Sequence, residues 1–264
     1  VDTIIKHYED YDEDIRLVKD SAHTIEFVTT THFLDKYINK NARVLEVGAG
    51  AGRYAFFYGE KGVRVTAVDL SPKHVSIMED KAKGKELTME ILQGNALNMD
   101  FAENESFDVV LCLGPLYHLM NEQDREKCIR ECIRVLKPNG VLAVAYISRY
   151  ATFINMIIRN TSSINDLTLR NIPRMGKEFD DARDCFYHST YKEIEQLMKE
   201  NKVIKLEHIG TDGIGGTLRD ITNKFNEAEF QYWMEYHFET CKDESLIGYS
   251  QHGLFIGKKE GYKA

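Results

Sequence analysis

No uninterrupted apolar run in this chain approaches the roughly 20 residues of a membrane span, so a helical membrane protein is not expected. Positive charge is in deficit too. There are 34 Lys and Arg against 42 Asp and Glu, a formal net charge of -8. Broad binding to nucleic acid or to an anionic membrane needs a basic face, so neither partner is expected beyond a local basic patch. The amino-terminal stretch IIKHYEDYDEDIRLVKD shows no secretory signal, and a cytoplasmic location is the expectation. Cysteine is scarce and odd in number, five residues with no C-x-x-C pair. Cys128 and Cys132 fall four apart on an expected helix and share a face. A metal or arsenic-thiol site there is one reading. Small buried thiols in a reducing compartment are the favoured one, so no metal is expected. Internal repeats and low-complexity segments are also missing.

What is present reads as one domain. The length of 264 residues is near the upper size for a single core. Hydrophobic residues at 43% and charged residues at 29% are ordinary for a globular chain. Ile25, Phe27, Val28, Phe33, Leu34 and Ile38 recur at helical spacing within the first forty residues. From Arg43 the pattern alternates. Strands are expected near 43–48, 64–69, 88–93, 107–113 and 140–147, and helices near 52–61, 72–83 and 122–137. Asn121 is the expected cap of the third helix and Pro138-Asn139-Gly140 its stop. After Tyr146 the rhythm breaks. Residues 149–186 are polar and helix-like, with turns at Pro173 and Gly176. A helix near 190–201, a strand near 203–210, helical stretches over 216–241 and a last strand near 250–258 follow. The fold class is α/β, a seven-stranded, mostly parallel sheet with helices on both faces. Right-handed crossovers put the strand C-termini at one edge, where ligands bind. The expected division of 1–264 is a helical cap (1–40), a core (41–148), a helical lid insertion (149–188) and the carboxy-terminal part of the sheet (189–264).

The densest signal is Val44-Leu45-Glu46-Val47-Gly48-Ala49-Gly50-Ala51-Gly52-Arg53-Tyr54. An apolar strand runs into a glycine-rich turn and then a helix whose first N–H groups face a ligand. Arg64-Val65-Thr66-Ala67-Val68-Asp69 is a second strand ending in an acid, about 20 residues past the glycines, where a nucleoside ribose is held. The dinucleotide fingerprint G-x-G-x-x-G would need a third glycine where Arg53 stands, so a nicotinamide-dependent reductase is disfavoured. Glu46 also suits a cationic ligand better than a pyrophosphate.

On these residues the chain resembles the class I S-adenosylmethionine-dependent methyltransferases. LEVGAGAGRY matches their first motif and Asp69 their second. Gly94-Asn95-Ala96 matches a third that usually carries an acid where Asn95 stands. FDVVLCLGPLYHL, followed by a helix and KPNG, matches the fourth. The GPLYHL variant, with the opening Tyr11-Asp12-Glu13-Asp14-Ile15-Arg16, resembles a subgroup of uncharacterised bacterial small-molecule methyltransferases. The resemblance is strong over 43–147. It implies a Rossmann-like sheet whose last strand is antiparallel and lies between the fifth and sixth. Residues 149–186, with the first forty, are expected to form a lid over the strand edge.

The resemblance also implies S-adenosylmethionine as cofactor, S-adenosylhomocysteine as product and a small-molecule O, N or S acceptor. A homodimer is left open. Asp69 would take both ribose hydroxyls. Glu46 would face the cofactor's ammonium, or buttress the turn. Gly48, Ala49, Gly50 and Gly52 form the cofactor turn, Leu70, Asn95 and Ala96 border adenosine, and Leu113 and Gly114 border the methionine part. Tyr11 and Arg16 would close over the cofactor carboxylate, or form a structural ion pair. Tyr117 and His118 face the transfer zone. His118 would act as general base or would only shape its loop. Tyr187 and His188 would line the acceptor pocket. The aromatic set Phe225, Phe230, Tyr232, Trp233, Tyr236 and Phe238 reads as core rather than a substrate box. A non-catalytic cofactor sensor or partner module of the same fold is the rival reading.

Overall fold

Alternate residues of β1 (Arg43–Val47) feed two cores. Leu45 and Val47 pack into one apolar cluster, Val44 into the other, and all three are at most 1% exposed. A strand covered on both faces belongs in the middle of a sheet. Burying each such side chain contributes about 1.5–3 kcal/mol. The structure, a computed structural model, describes residues 5, 8, 14–179 and 185–261. Tyr11 lies outside them.

The other strands are β2 (Arg64–Asp69), β3 (Met89–Gln93), β4 (Phe107–Cys112), β5 (Leu136–Ser148), β6 (His188–Ser189), β7 (Val203–Gly210) and β8 (His252–Lys259). The path across the sheet is β3-β2-β1-β4-β5-β8-β7. β8 is antiparallel to both neighbours, β5 and β7. The pairs among β1 to β5 are parallel. The last strand thus sits where the resemblance implies. One strand was not anticipated. Two-residue β6 pairs with the end of β5 at Ile147 and Ser148, too short for any sequence period to mark it.

Helices α1 (Ser21–Leu34), α2 (Arg53–Glu60), α3 (Pro72–Ala82) and α4 (Glu122–Val135) precede or alternate with the parallel strands. The Asn121 side chain caps α4 by accepting the Asp124 N–H. That helix stops at Val135, before the KPNG turn, because Leu136 already pairs with Phe107. The turn itself falls where the β4–β5 register shifts, and Asn139 there has φ +64°. After β5 come α5 (Arg149–Arg159), two 3-10 turns, and α6 (Ile172–Met175), which ends on left-handed Gly176. α7 (Tyr191–Glu200) begins with a capping box between Thr190 and Glu193. Next come α8 (Arg219–Thr222), α9 (Glu227–Thr240) and α10 (Glu244–Ile247).

The aromatic set around α9 corrects one expectation. None of its members is fully buried, and Tyr232 and Tyr236 are exposed. Helix α9 turns Met234 and His237 inward instead. The aromatics stack on the rim, Trp233 against Phe225 and Phe238 against His32. Helical spacing alone does not tell which face is inward when bulky residues occupy several faces. No helix among the described residues is long and apolar enough to cross a membrane.

Candidate active site

The order of strands reverses beside β1, so the loops after β1 and β4 leave toward opposite faces and open a crevice between them. A cavity of about 1020 Å³, its open mouth included, fills that crevice. Its walls come from the four strand ends, at 46–51, 69–71, 94–96, 113–115 and 117–119, together with residues near the amino terminus (Ile5, Tyr8, Arg16 and Leu17), the start of α2 (Arg53 and Tyr54) and His74.

The glycine turn builds the floor. Gly48 has φ +69°, and a Cβ on it would lie 2.7 Å from the Pro115 ring. Only glycine tolerates both the conformation and the contact. Gly48 and Ala49 each donate a backbone hydrogen bond to the Val68 carbonyl, tying the turn to β2. Gly52 stands apart from the other turn residues. It is left-handed too, but it lies behind the cavity, where a side chain would meet Phe56 and Met78.

Asp69 ends β2 nearly buried. Its Oδ2 accepts the Gly50 N–H at 2.7 Å, and its Oδ1 accepts the Ser71 N–H at 2.8 Å. His74 Nδ1 stands 3.2 Å from the same Oδ1, which can only accept, so the Nδ1–H donates to it. A carboxylate has about four lone-pair positions, so acceptor capacity remains toward the cavity. The other nitrogen of His74, Nε2, is buried and has no hydrogen-bond partner. His74 was not anticipated from the sequence. A usable signal exists: Pro72 starts α3, so residue 74 falls in its first turn beside the end of β2.

Glu46 is the second acid of the cavity and is 2% exposed. Burial pushes its carboxyl up, a hydrogen bond from the Ala55 backbone lowers it, and the Asp69 charge raises it again, to about 8. Its Oε2 has no hydrogen-bond partner. An unsatisfied buried carboxyl oxygen on a cavity wall is expensive unless a donor arrives there. A cationic ligand group would satisfy it, so the donor set fits the ammonium and sulfonium of S-adenosylmethionine.

His118 and Tyr117 sit on a 3-10 turn, Pro115–His118, just past β4. His118 Nδ1 lies 2.8 Å from the Cys185 carbonyl, which can only accept. The neutral ring therefore carries its proton on Nδ1, and Nε2 accepts from the Tyr8 hydroxyl at 2.8 Å. The Tyr8 ring packs edge-on against His118 and also against His74. Tyr8 escaped the sequence reading because nothing in its local pattern separates it from its charged neighbours. Arg16 lines the cavity and also forks onto Glu26 at 2.8 and 3.3 Å. The ion pair that the second reading of Arg16 names is therefore present, on a side chain that also borders the cavity.

Leu70, Asn95, Ala96, Leu113 and Gly114 line the cavity. The Asn95 side chain is turned to its own loop, accepting the Leu97 N–H at 2.9 Å. Tyr187 and His188 stand outside the lining. The Tyr187 N–H donates to the Tyr117 carbonyl at 2.7 Å, and its hydroxyl accepts from Arg149. His188 is buried in β6, where its carbonyl accepts the Arg149 Nε–H. The pairing of His188 with β5 and the Tyr187 bond to the Tyr117 carbonyl together brace the Tyr117 turn.

Comparison with known proteins agrees with this geometry. Residues 45–144 match the family described as a methyltransferase domain. The erythromycin 3''-O-methyltransferase of Saccharopolyspora erythraea is 34% identical over 111 residues, which cover 40% of this chain and 35% of that one. A ubiquinone biosynthesis O-methyltransferase of Xanthomonas oryzae pv. oryzae is 32% identical over 108 residues, covering 41% and 44%. The chain spans less than half the length of these curated relatives. A Pyrococcus horikoshii protein, PH0226, superposes with a TM-score of 0.60 at 17% identity, covering 97% of this chain and 99% of that one. Residues 45–144 are thus similar to a methyltransferase domain, and the sheet has the Rossmann-like fold of solved methyltransferases.

Proposed function

We propose that this protein moves a methyl group from S-adenosylmethionine to the O, N or S atom of a small molecule. The observation that carries this reading is the orphaned Oε2 of Glu46, buried on the wall of the same cavity as Asp69. The Asp69 carboxylate repels a pyrophosphate, and a cationic nucleoside displaces the proton that burial keeps on Glu46 and pairs with its carboxylate. S-adenosylmethionine supplies a methyl already activated on a positive sulfonium, open to in-line displacement without a metal.

The residues of the chain then bind, align and exclude water. Asp69 and His74 hold the ribose side, Leu70, Asn95 and Ala96 the adenine side, and Glu46 and Arg16 the amino-acid end. Leu113, Gly114 and Tyr117 shape the passage to the acceptor. Alignment of two reactants contributes about 7–11 kcal/mol to such a reaction. His118 Nε2 takes the acceptor's proton once Tyr8 gives up its hydrogen bond, or through the Tyr8 hydroxyl as relay. The acid excess speaks for a small acceptor over nucleic acid or membrane, and a cytoplasmic setting goes with it. A homodimer is compatible with this chemistry.

The deciding experiment is calorimetry with S-adenosylmethionine, S-adenosylhomocysteine and nicotinamide dinucleotide. A panel of phenols, amines and thiols follows, read out by S-adenosylhomocysteine release. Binding of the sulfonium compound with turnover of at least one acceptor class is expected. Binding without turnover across the panel would favour the sensor. Binding of the dinucleotide alone would remove the proposal.

A further inference from the structure

Between β4 and α4 three thiols meet. Cys112 is the last residue of β4, and Cys128 and Cys132 lie one turn apart on α4. Their sulfurs all lie within 4.8 Å of one another, and Cys112 and Cys128 are 3.8 Å apart. All three residues are 0% exposed and are free thiols. The sequence places only Cys128 and Cys132 together; the β4–α4 packing brings in the third.

We propose that Cys112, Cys128 and Cys132 form a three-sulfur site for trivalent arsenic. The first argument is geometric. Trivalent arsenic is pyramidal, and at a metal–thiolate distance of about 2.3 Å its three sulfurs stand about 3.5 Å from each other. The observed separations, 3.8 Å for one pair and no more than 4.8 Å for the others, are somewhat wider, a gap that side-chain rotation closes without movement of the sheet. The second argument is charge. The surrounding cluster is apolar, with Val110, Leu116, Ile129, Val135 and Leu136 among its members. Burying net charge there is costly. Three thiolates carry three negative charges, so a divalent ion leaves one unbalanced and a monovalent ion two. A trivalent centre leaves none. The third argument is the donor set. The cluster offers three sulfurs and, among the described residues, no His, Asp or Glu joins it to complete a tetrahedral zinc shell.

The exchange balances without any oxidant. Arsenous acid gives up three As–O bonds and gains three As–S bonds. The three thiol protons leave with the three hydroxyls as three waters, and arsenic stays trivalent. Because the thiols are sealed from solvent, loading proceeds through local opening and is slow.

The test uses the full reduced chain and sodium arsenite. After long incubation, native mass spectrometry should show a single adduct heavier by one arsenic less three hydrogens. Denaturing alkylation of the loaded protein should then modify Cys185 and Cys241 while sparing Cys112, Cys128 and Cys132. This second readout needs no variant. Each of Cys112→Ala, Cys128→Ala and Cys132→Ala, once shown folded by circular dichroism, should lose the three-bond adduct and bind at least tenfold more weakly. Cys185→Ala should bind like the natural protein. In competition, arsenite should displace zinc. No adduct, an adduct that protects Cys185 or Cys241, or retention of zinc over arsenite would each overturn the proposal.

Discussion

The Tyr8 hydroxyl donates to Nε2 of His118 across 2.8 Å, joining residues 110 apart in the chain. The bond holds the one imidazole nitrogen able to take a proton, at the mouth of the proposed transfer zone. Tyr8→Phe removes the donor and leaves the ring, so it separates packing from proton transfer. His118→Ala is expected to lower kcat by about 100-fold or more, the lower reach of general base catalysis, with cofactor affinity within about twofold. Tyr8→Phe is expected to change kcat less than His118→Ala does and to move the acidic limb of the pH–rate profile. Unchanged kcat in His118→Ala would show that the ring only shapes its loop.

Asp69 gives the cofactor prediction. Hydrogen bonds to a charged acceptor are worth about 1.5–3 kcal/mol, so Asp69→Ala should raise the Kd for S-adenosylhomocysteine roughly ten- to a hundredfold. The same carboxylate receives Gly50 and Ser71 N–H groups, so the glycine turn should loosen as well. Asp69→Asn keeps shape and should fall between the two, as calorimetry would show.

Glu46 sets a pH dependence. Its folded pKa is raised to about 8 from an unfolded value near 4.5. Between those values the native state holds more protons than the unfolded chain, so this group's stabilisation is complete below about pH 4.5 and is lost as pH rises toward 8. Thermal melts of Glu46→Gln against the natural protein should show a slope over that window only in the natural protein. Cofactor binding near pH 7 should release protons, seen as a buffer-dependent heat in calorimetry, and Glu46→Gln should abolish that release.

Gly48→Ala tests the floor of the crevice. The new methyl would occupy a left-handed position and meet the Pro115 ring at 2.7 Å. Strain and overpacking together predict a loss of about 2–4 kcal/mol in denaturant unfolding. Cofactor affinity should fall with it, because Pro115 carries the turn that leads to Tyr117 and His118. Ala51→Gly, three residues further along the same turn, should cost far less.

Local physics made much of this protein readable in one dimension. Val44, Leu45 and Val47 announce a strand buried on both faces, and Gly48 and Gly50 announce a turn that no side chain could occupy. Asp69 at a strand end marks an anchor, and the alternating rhythm from 43 to 147 dictates a parallel sheet. These features are legible because backbone period, steric permission and charge act between near neighbours. Tyr8, His74 and Cys112 are different. Tyr8 reaches His118 only because the fold sets it beside the turn after β4, 110 residues further along the chain. His74 gains meaning only from the Oδ1 of Asp69 beside it and the cavity before it. Cys112 joins Cys128 and Cys132 only because α4 packs on β4. Of Tyr187 and His188, placed by sequence near an acceptor, His188 lies in a two-residue strand and Tyr187 just before it bonds the Tyr117 carbonyl. Such contacts depend on how whole elements pack, and packing is decided by the summed burial of distant residues that no local pattern records.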